Sequence, residues 1–332
     1  MKLRKFSNGP DVSAVGVGAM SFSDFYGPTD EARSHAILDA AMDVGVTHLD
    51  TANVYGMGTS EQRIGTYLAA RGKGARDRFF IASKAAITKD DAGKRCIRND
   101  LAHLEAELDQ SLVRMGIDCV DLFYVHRRDP EMPIEDVAGA LGELVRRGKT
   151  KHIGFSEIAP SSLRRAHGEF PVSAVQSEYS LSVRAPELGL VQTCAELNVA
   201  LVAFSPVGRS LLTDNPLSYE RILEIPFMRN NPRFMGSNFD FNIKESDKFR
   251  ALAADMGLPA AALAIAWVLA QGEHVFAIPG TRSVTHFNEL VRGAEITLSD
   301  SDLATIEAVL PVGWAHGDRY DVVQWVGPER FS

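Results

Sequence analysis

The sequence predicts an α/β protein, a (β/α)8 TIM barrel with a long loop after the seventh strand and a C-terminal tail over the barrel mouth. Three observations carry this expectation. Short runs rich in Val, Ile, Leu and Phe alternate with helical patterns along nearly all of the 332 residues, as repeated βα units do. The runs show little apolar–polar alternation, which is expected where both faces of a parallel strand are buried. Gly16-Val17-Gly18 is not followed by the third glycine of a dinucleotide-binding turn, which argues against an open doubly wound sheet.

The expected strands are Ser13–Gly18, Thr47–Thr51, Arg78–Ser83, Val120–His126, His152–Ser156, Ala174–Glu178, Ala200–Ser205 and Val275–Pro279. Helices lie between them. Ala36, Ile37, Ala40, Ala41 and Val44 form an apolar stripe ended by Gly45; Leu101, Leu104, Leu108, Leu112 and Met115 form another, stopped by Gly116. Val137, Leu141, Leu144 and Val145 repeat the pattern before Gly148. Thr59-x-x-Gln62 and Ser299-x-x-Asp302 read as capping boxes at two further helix starts. The stretch from Gly208 to Lys248, with Pro216, Pro226 and Pro232, is too long for an ordinary connection and reads as a flap above the seventh strand. No linker or low-complexity tract divides the chain, so residues 1–332 are expected to form one barrel domain.

Composition excludes several classes. Lys and Arg number 35 against 43 Asp and Glu, a net charge of −8, so a nucleic-acid-binding surface is not expected. With 45% hydrophobic residues the chain is not of disordered composition. The longest apolar run, Ala260 to Ala270, is shorter than the roughly 20 residues of a membrane span. The basic N-terminus lacks the apolar stretch of a signal peptide, and a cytoplasmic location is the expectation. Cys96, Cys119 and Cys194 are too few and too scattered for a disulfide framework or a zinc site; structural roles are expected, with Cys119 the first candidate for the core. Nothing in the sequence specifies an oligomeric state.

In a (β/α)8 barrel the active site sits at the C-terminal ends of the strands. There the sequence places Asp50, with Tyr55 shortly after it, then Ser83-Lys84, His126-Arg127, Ser156-Glu157, Gln176-Ser177-Glu178, Phe204-Ser205-Pro206 and Pro279-Gly280-Thr281-Arg282. Asp50, Tyr55, Lys84 and His126 together make a proton-transfer set. A lysine beside a carboxylate would ease ionisation of Tyr55, and His126 could orient a carbonyl or assist the proton transfer. Two other chemistries fit parts of the pattern. Lys84 could form a Schiff base in an aldolase-type lyase, and Glu157 with Glu178 could act as a glycosidase pair, although that leaves Tyr55 and Lys84 unused. The nine histidines are scattered, and no metal site is expected.

The segments Leu49-Asp50-Thr51-Ala52-Asn53-Val54-Tyr55-Gly56, Ser83-Lys84, Asp121 to Arg127, Val175 to Ser180 and Ile278 to Arg282 together resemble the aldo-keto reductase family, over nearly the whole chain and in order. The run Asn231-Pro232-Arg233-Phe234 looks like the branch with pyridoxal reductase-like and perakine reductase-like members. The resemblance implies NADPH at the barrel mouth and reduction of an aldehyde or ketone to an alcohol. It makes Tyr55 the general acid, Lys84 and Asp50 its supporting pair, and His126 the group that fixes the carbonyl. Ser156, Glu157 and Gln176 would meet the nicotinamide carboxamide, and Phe204 its ring. Ser205, Pro206, Val207, Gly208 and Arg209 would face the pyrophosphate, and Arg282 the 2′-phosphate. Gly18, Met20 and Gly280 would complete the cofactor cradle, with His286 and Glu289 near the adenine.

The chain also departs from the family. Leu290 stands where an asparagine is frequent, Thr213-Asp214-Asn215 replaces a Thr-Gly-Lys run, and Phe204 replaces a tyrosine or tryptophan. The substrate pocket is expected to include Met20, Phe22, Tyr26, Trp314, Tyr320 and Trp325, which suggests an apolar or aromatic aldehyde; the two tryptophans could equally anchor the tail. A small-molecule carbonyl compound is the expected partner, with neither nucleic acid nor membrane. A competing reading is a cofactor-binding regulatory subunit without significant turnover.

Overall fold

Eight parallel strands follow one another around a barrel: β1 (Gly16–Gly18), β2 (His48–Asp50), β3 (Phe80–Ala85), β4 (Val120–Val125), β5 (Thr150–Ser156), β6 (Ala174–Glu178), β7 (Ala200–Phe204) and β8 (Val275–Ala277). The computed structural model describes residues 1–332, the side chain of Lys73 apart. A parallel bridge between Val15 and Ala277 brings β8 back to β1, and the Gly18 N–H donates to the Pro279 carbonyl at 2.9 Å. This seam needs glycine. A Cβ on Gly18 would lie 2.5 Å from the Ile278 carbonyl oxygen, and one on Gly280 would lie 2.6 Å from that of Gly18.

The register sets the site. Asp50 lies opposite Gly18 and Ala82, Lys84 opposite Tyr124, and Ser156 opposite Gln176, so polar residues gather at one end of the barrel. The other end is closed by a hairpin, Leu3–Lys5 with Asp11–Ser13, that carries Phe6 into the barrel. There Phe6 meets Phe80 and Phe276 with ring centroids at 4.8 and 5.0 Å. Between sheet and helices lies the larger core, built from the predicted stripes: Ile37, Leu104, Leu108, Leu141 and Leu144 are all buried. The helix Ala260–Ala270 is buried on all sides, which explains its uninterrupted apolar sequence. Among the described residues no single helix is long and apolar enough to cross a membrane.

Several boundaries differ from expectation. Ser13 belongs to the plugging hairpin rather than to β1, and Arg78 ends a short helix, Lys73–Arg78, before β3. The helices Leu101–Met115 and Ile134–Arg146 stop near Gly116 and Gly148 as expected, both glycines at positive φ. Ser299 and Asp302 do form a capping box. Thr59 and Gln62 do not: Gly58 occupies the N-cap position of Thr59–Arg71, and the Thr59 hydroxyl donates instead to the Gly56 carbonyl at 2.7 Å. Cys194 is fully buried, whereas Cys119 is only partly so.

The segment from Gly208 to Lys248 is an ordered insertion. It holds the short helix Tyr219–Leu223 and enters the long helix Gly236–Asp255, with its own core of Leu211, Ile222, Ile225, Met228, Phe234 and Phe239. The tail is bound to it. Asn231 donates to the Arg319 carbonyl at 2.5 Å, and Asn242 exchanges hydrogen bonds with the backbone of His316.

Candidate active site

A cavity of about 920 Å³ opens at the C-terminal ends of the strands. Asp50, Tyr55 and His126 line it. Lys84, 0% exposed, lies behind them: its Nζ makes an ion pair with Asp50, donates to the Thr51 carbonyl at 2.9 Å, and sits 5.2 Å from the centre of the Tyr55 ring. The second Asp50 oxygen accepts from Gln176 Nε2 at 2.8 Å. Both carboxylate oxygens are thus engaged, which fixes the lysine beneath the phenol. The rings of Tyr55 and His126 meet edge to face at 5.8 Å.

Burial dominates the electrostatics. It pulls the Lys84 ammonium down from its usual range while the Asp50 carboxylate pulls it back up. Burial and then Asp50 push the Tyr55 hydroxyl far above ordinary tyrosine, opposed by Arg127. The phenol is therefore held protonated. The expected easing of its ionisation by Lys84 does not describe this state, because burial of the phenol, and then the charge of Asp50, outweigh it. His126 is held well below its usual pKa by burial and by the charges of Arg127, Lys84 and Arg95, so the ring is neutral. Its Nδ1 has no hydrogen-bond partner among the described residues.

Of the other predicted residues, Gly18, Met20, Ser156, Gln176, Phe204, Ser205, Pro206, Val207, Arg209, Gly280, Arg282, His286 and Glu289 all line the cavity. Glu157 and Gly208 do not. Glu157 follows β5 with φ of 62°, so its side chain turns away from the mouth to meet Arg319 at 2.6 Å. Gly208 is buried beneath the loop after β7, where Ser205, Arg209 and Ser210 also adopt positive φ. Such backbone is costly for non-glycine residues and concentrates at functional loops. Arg209 is less available than expected: it pairs with Glu178 at 3.0 Å and lies over Tyr320, although its Nη1 keeps no partner among the described residues.

These contacts bear on the alternatives. Glu157 and Glu178 are both held by Arg319 and neither lines the cavity, so they cannot flank a glycosidic bond there. Lys84 does not line the cavity either, which leaves its amine without access to a carbonyl.

The substrate walls also differ from expectation. Phe22 and Trp314 are core residues, with Trp314 Nε1 donating to the Leu181 carbonyl at 2.8 Å, and Trp325 stacks on Arg319 outside the cavity. Met20, Tyr26 and Tyr320 line the cavity as expected, and the tail adds Val323 and Gln324 in place of the two tryptophans.

Sequence reasoning missed three arginines at the mouth: Arg95, from the hairpin beyond β3, and two that gather near Arg282. Arg33, from the first helix, and Arg221, from the insertion, both line the cavity near Arg282. Arg282 donates to the carbonyls of Gly27 at 2.9 Å and Pro28 at 3.1 Å, and Arg221 to that of Tyr26 at 3.2 Å. Burial, and then the charges of Arg221 and Arg33, hold Arg282 below the usual arginine pKa. No local sequence signal marks this cluster, which only the fold assembles.

The profile of the aldo/keto reductase family matches residues 14–311. Aldo-keto reductase yakc [NADP(+)] of Schizosaccharomyces pombe is 37% identical over 321 residues, covering 96% of this chain and 94% of that protein. Among solved structures, the holo form of aldo-keto reductase AKR11C1 from Bacillus halodurans superposes with a TM-score of 0.76 at 25% identity, over 98% of this chain and 99% of that one. A glycerol dehydrogenase from Gluconobacter oxydans shares the fold, with a TM-score of 0.80 at 24% identity over 93% and 94% of the two chains.

Proposed function

The chain belongs to the aldo/keto reductase family, and from that premise we propose that it reduces an aldehyde or ketone to an alcohol with NADPH, Tyr55 acting as general acid. The observation that carries this reading is the Asp50–Lys84 ion pair set behind a protonated Tyr55, with a neutral His126 ring against it. Bound NADPH would supply the hydride. Tyr55 is the proton donor to the carbonyl oxygen, and the Lys84 ammonium lies where it offsets the negative charge left on the phenol. His126, neutral, can hold the carbonyl without itself releasing a proton. Gln176 keeps Asp50, and through it Lys84, in place.

The residues fit an anionic dinucleotide. Arg33, Arg221 and Arg282 crowd one part of the cavity; Arg33 pairs with Asp30 at 3.8 Å and Arg221 with Glu224, whereas Arg282 meets only backbone carbonyls under the repulsion of the other two, which a phosphate would relieve. Arg209 Nη1 is a further unpartnered buried donor in the loop after β7. Ser156, Gln176 and Phe204 would hold the nicotinamide, Arg282 with Arg33 and Arg221 the 2′-phosphate, and His286 with Glu289 the adenine. The unbroken barrel and core support reading residues 1–332 as one domain. The Asn231-Pro232-Arg233-Phe234 run, whose buried asparagine joins insertion to tail, supports the pyridoxal reductase-like and perakine reductase-like branch.

The test is NADPH oxidation with a panel of aldehydes, for the wild type and Tyr55→Phe. Carbonyl-dependent oxidation that the variant loses is expected; none with the wild type would overturn the proposal.

A further inference from the structure

Arg95 and Arg127 line the same cavity as Tyr55 and His126, and neither has a counter-ion among the described residues. Arg127 follows His126 at the end of β4; Arg95 comes from the hairpin Ile87–Lys89 with Arg95–Ile97, beyond β3. The partners of Arg127 are neutral: Nη1 donates to the His126 carbonyl at 2.6 Å and to Ser156 Oγ at 3.1 Å, and Nη2 to the Tyr320 hydroxyl at 3.3 Å. Both terminal nitrogens of Arg95 reach only the Val326 carbonyl, at 3.4 Å, a long contact. The carboxylate whose charge Arg127 shares is Glu157, already engaged by Arg319 at 2.6 Å.

Two half-buried guanidinium groups side by side are unfavourable unless something negative joins them. Burial and then the charge of Arg127 hold Arg95 below its ordinary pKa. Both cations also act on the His126 ring, so their charge is felt where the carbonyl is to be held. This second cationic group lies apart from the Arg33, Arg221 and Arg282 cluster in what it adjoins: both members act on the His126 ring, which meets Tyr55, rather than on the carbonyls of Gly27 and Pro28.

We infer that the substrate is a carbonyl compound bearing a carboxylate, seated on Arg95 and Arg127 while its carbonyl oxygen meets Tyr55 and His126. The inference rests on the reductase reading above and names its substrate class. A carboxylate suits the site because its two oxygens can each accept from a guanidinium N–H. Phe25, Phe227 and Tyr320 supply an apolar surface for the carbon skeleton between the two ends.

The experiment compares 2-, 3- and 4-carboxybenzaldehyde, each against its methyl ester, in NADPH-dependent turnover by the wild type, Arg95→Met, Arg95→Lys and Arg127→Met. At least one acid is expected to exceed its ester in kcat/KM by about tenfold or more, the worth of a hydrogen bond between charged groups. Arg95→Met and Arg127→Met should bring that ratio toward one, chiefly through KM for the acid, and Arg95→Lys should restore part of it. Far-UV circular dichroism and thermal unfolding of each variant verify that it has folded. Turnover of the esters with no acid preferred, or a preference that survives both methionine variants, would overturn this inference and leave the reductase reading standing. No NADPH oxidation with any of the compounds would remove both.

Discussion

Arg319 of the C-terminal tail meets Glu157, at the end of β5, at 2.6 Å in a place from which water is excluded. The same guanidinium reaches Glu178 at 3.4 Å, and Glu178 in turn holds Arg209 at 3.0 Å. Tail, barrel and cofactor-side loop are thus joined by one buried network. Removing Arg319 leaves Glu157 buried without its partner, so Arg319→Met should cost about 3–5 kcal/mol by denaturant unfolding. Burial alone would raise the Glu157 carboxyl, but Arg319 and Arg127 outweigh it and hold it below the usual glutamate value. A depressed carboxyl contributes stability that is complete above its unfolded pKa and lost as pH falls through its folded one. The gap between wild type and variant should therefore be full at neutral pH and shrink below about pH 4. A gap that does not change with pH would show that the pair is not the source of the stability.

Tyr55→Phe removes the proton donor and leaves ring, cavity and Lys84 in place. The reduction rate constant should fall by about 100-fold or more while NADPH binding, followed by fluorescence, is kept. Burial and Asp50 keep the wild-type phenol protonated, so reduction should be flat between about pH 6 and about pH 9. Alcohol oxidation requires the phenolate and should rise with pH across the same range. A reduction rate that falls steadily over that range would place the proton on another group.

Arg33, Arg221 and Arg282 share one part of the mouth, so the NADPH preference should reside in their summed charge rather than in one contact. Arg221→Ala should lower kcat/KM for NADPH by about tenfold and leave NADH nearly unchanged. Added salt should narrow the difference between the two cofactors, since Arg33 is exposed and its charge is screened. Equal losses with both cofactors would mean that Arg221 supports the insertion and does not meet the phosphate.

How much of this was legible beforehand follows from which contacts are local. Asp50, Lys84 and His126 could be found because each closes a short apolar run, and a parallel barrel carries all such ends to one face. Glu157 was misplaced for a related reason: it directly follows Ser156, and the chain turns there at positive φ, so the two side chains part company. Arg221 and Arg282 are 61 residues apart and meet only because the insertion folds around its own apolar core. Trp314 and Trp325 looked alike in sequence, yet one is fixed by Leu181 in the core and the other by Arg319 in the tail. Capping shows the same limit, since Ser299 forms its box while Gly58 pre-empts the one at Thr59.

Two glycine substitutions should separate close approach from mere flexibility. Gly18 sits on the closing seam, where a Cβ would lie 2.5 Å from the Ile278 carbonyl oxygen and 3.2 Å from the Pro279 carbonyl group, backbone that cannot swing aside as a side chain can. Gly18→Ala should therefore cost about 1–3 kcal/mol as an overpacked site does, and it should also lower activity, because Gly18 lines the cavity. Gly139 lies inside the helix Ile134–Arg146, where an added Cβ would meet only Glu169 Oε1, at an ordinary 3.7 Å. There alanine loses less backbone freedom on folding, and Gly139→Ala should raise stability by about 0.5–1 kcal/mol without touching turnover. Urea unfolding of both variants, with activity measured alongside, checks the contrast; equal effects at the two positions would refute the seam as the reason for glycine at residue 18.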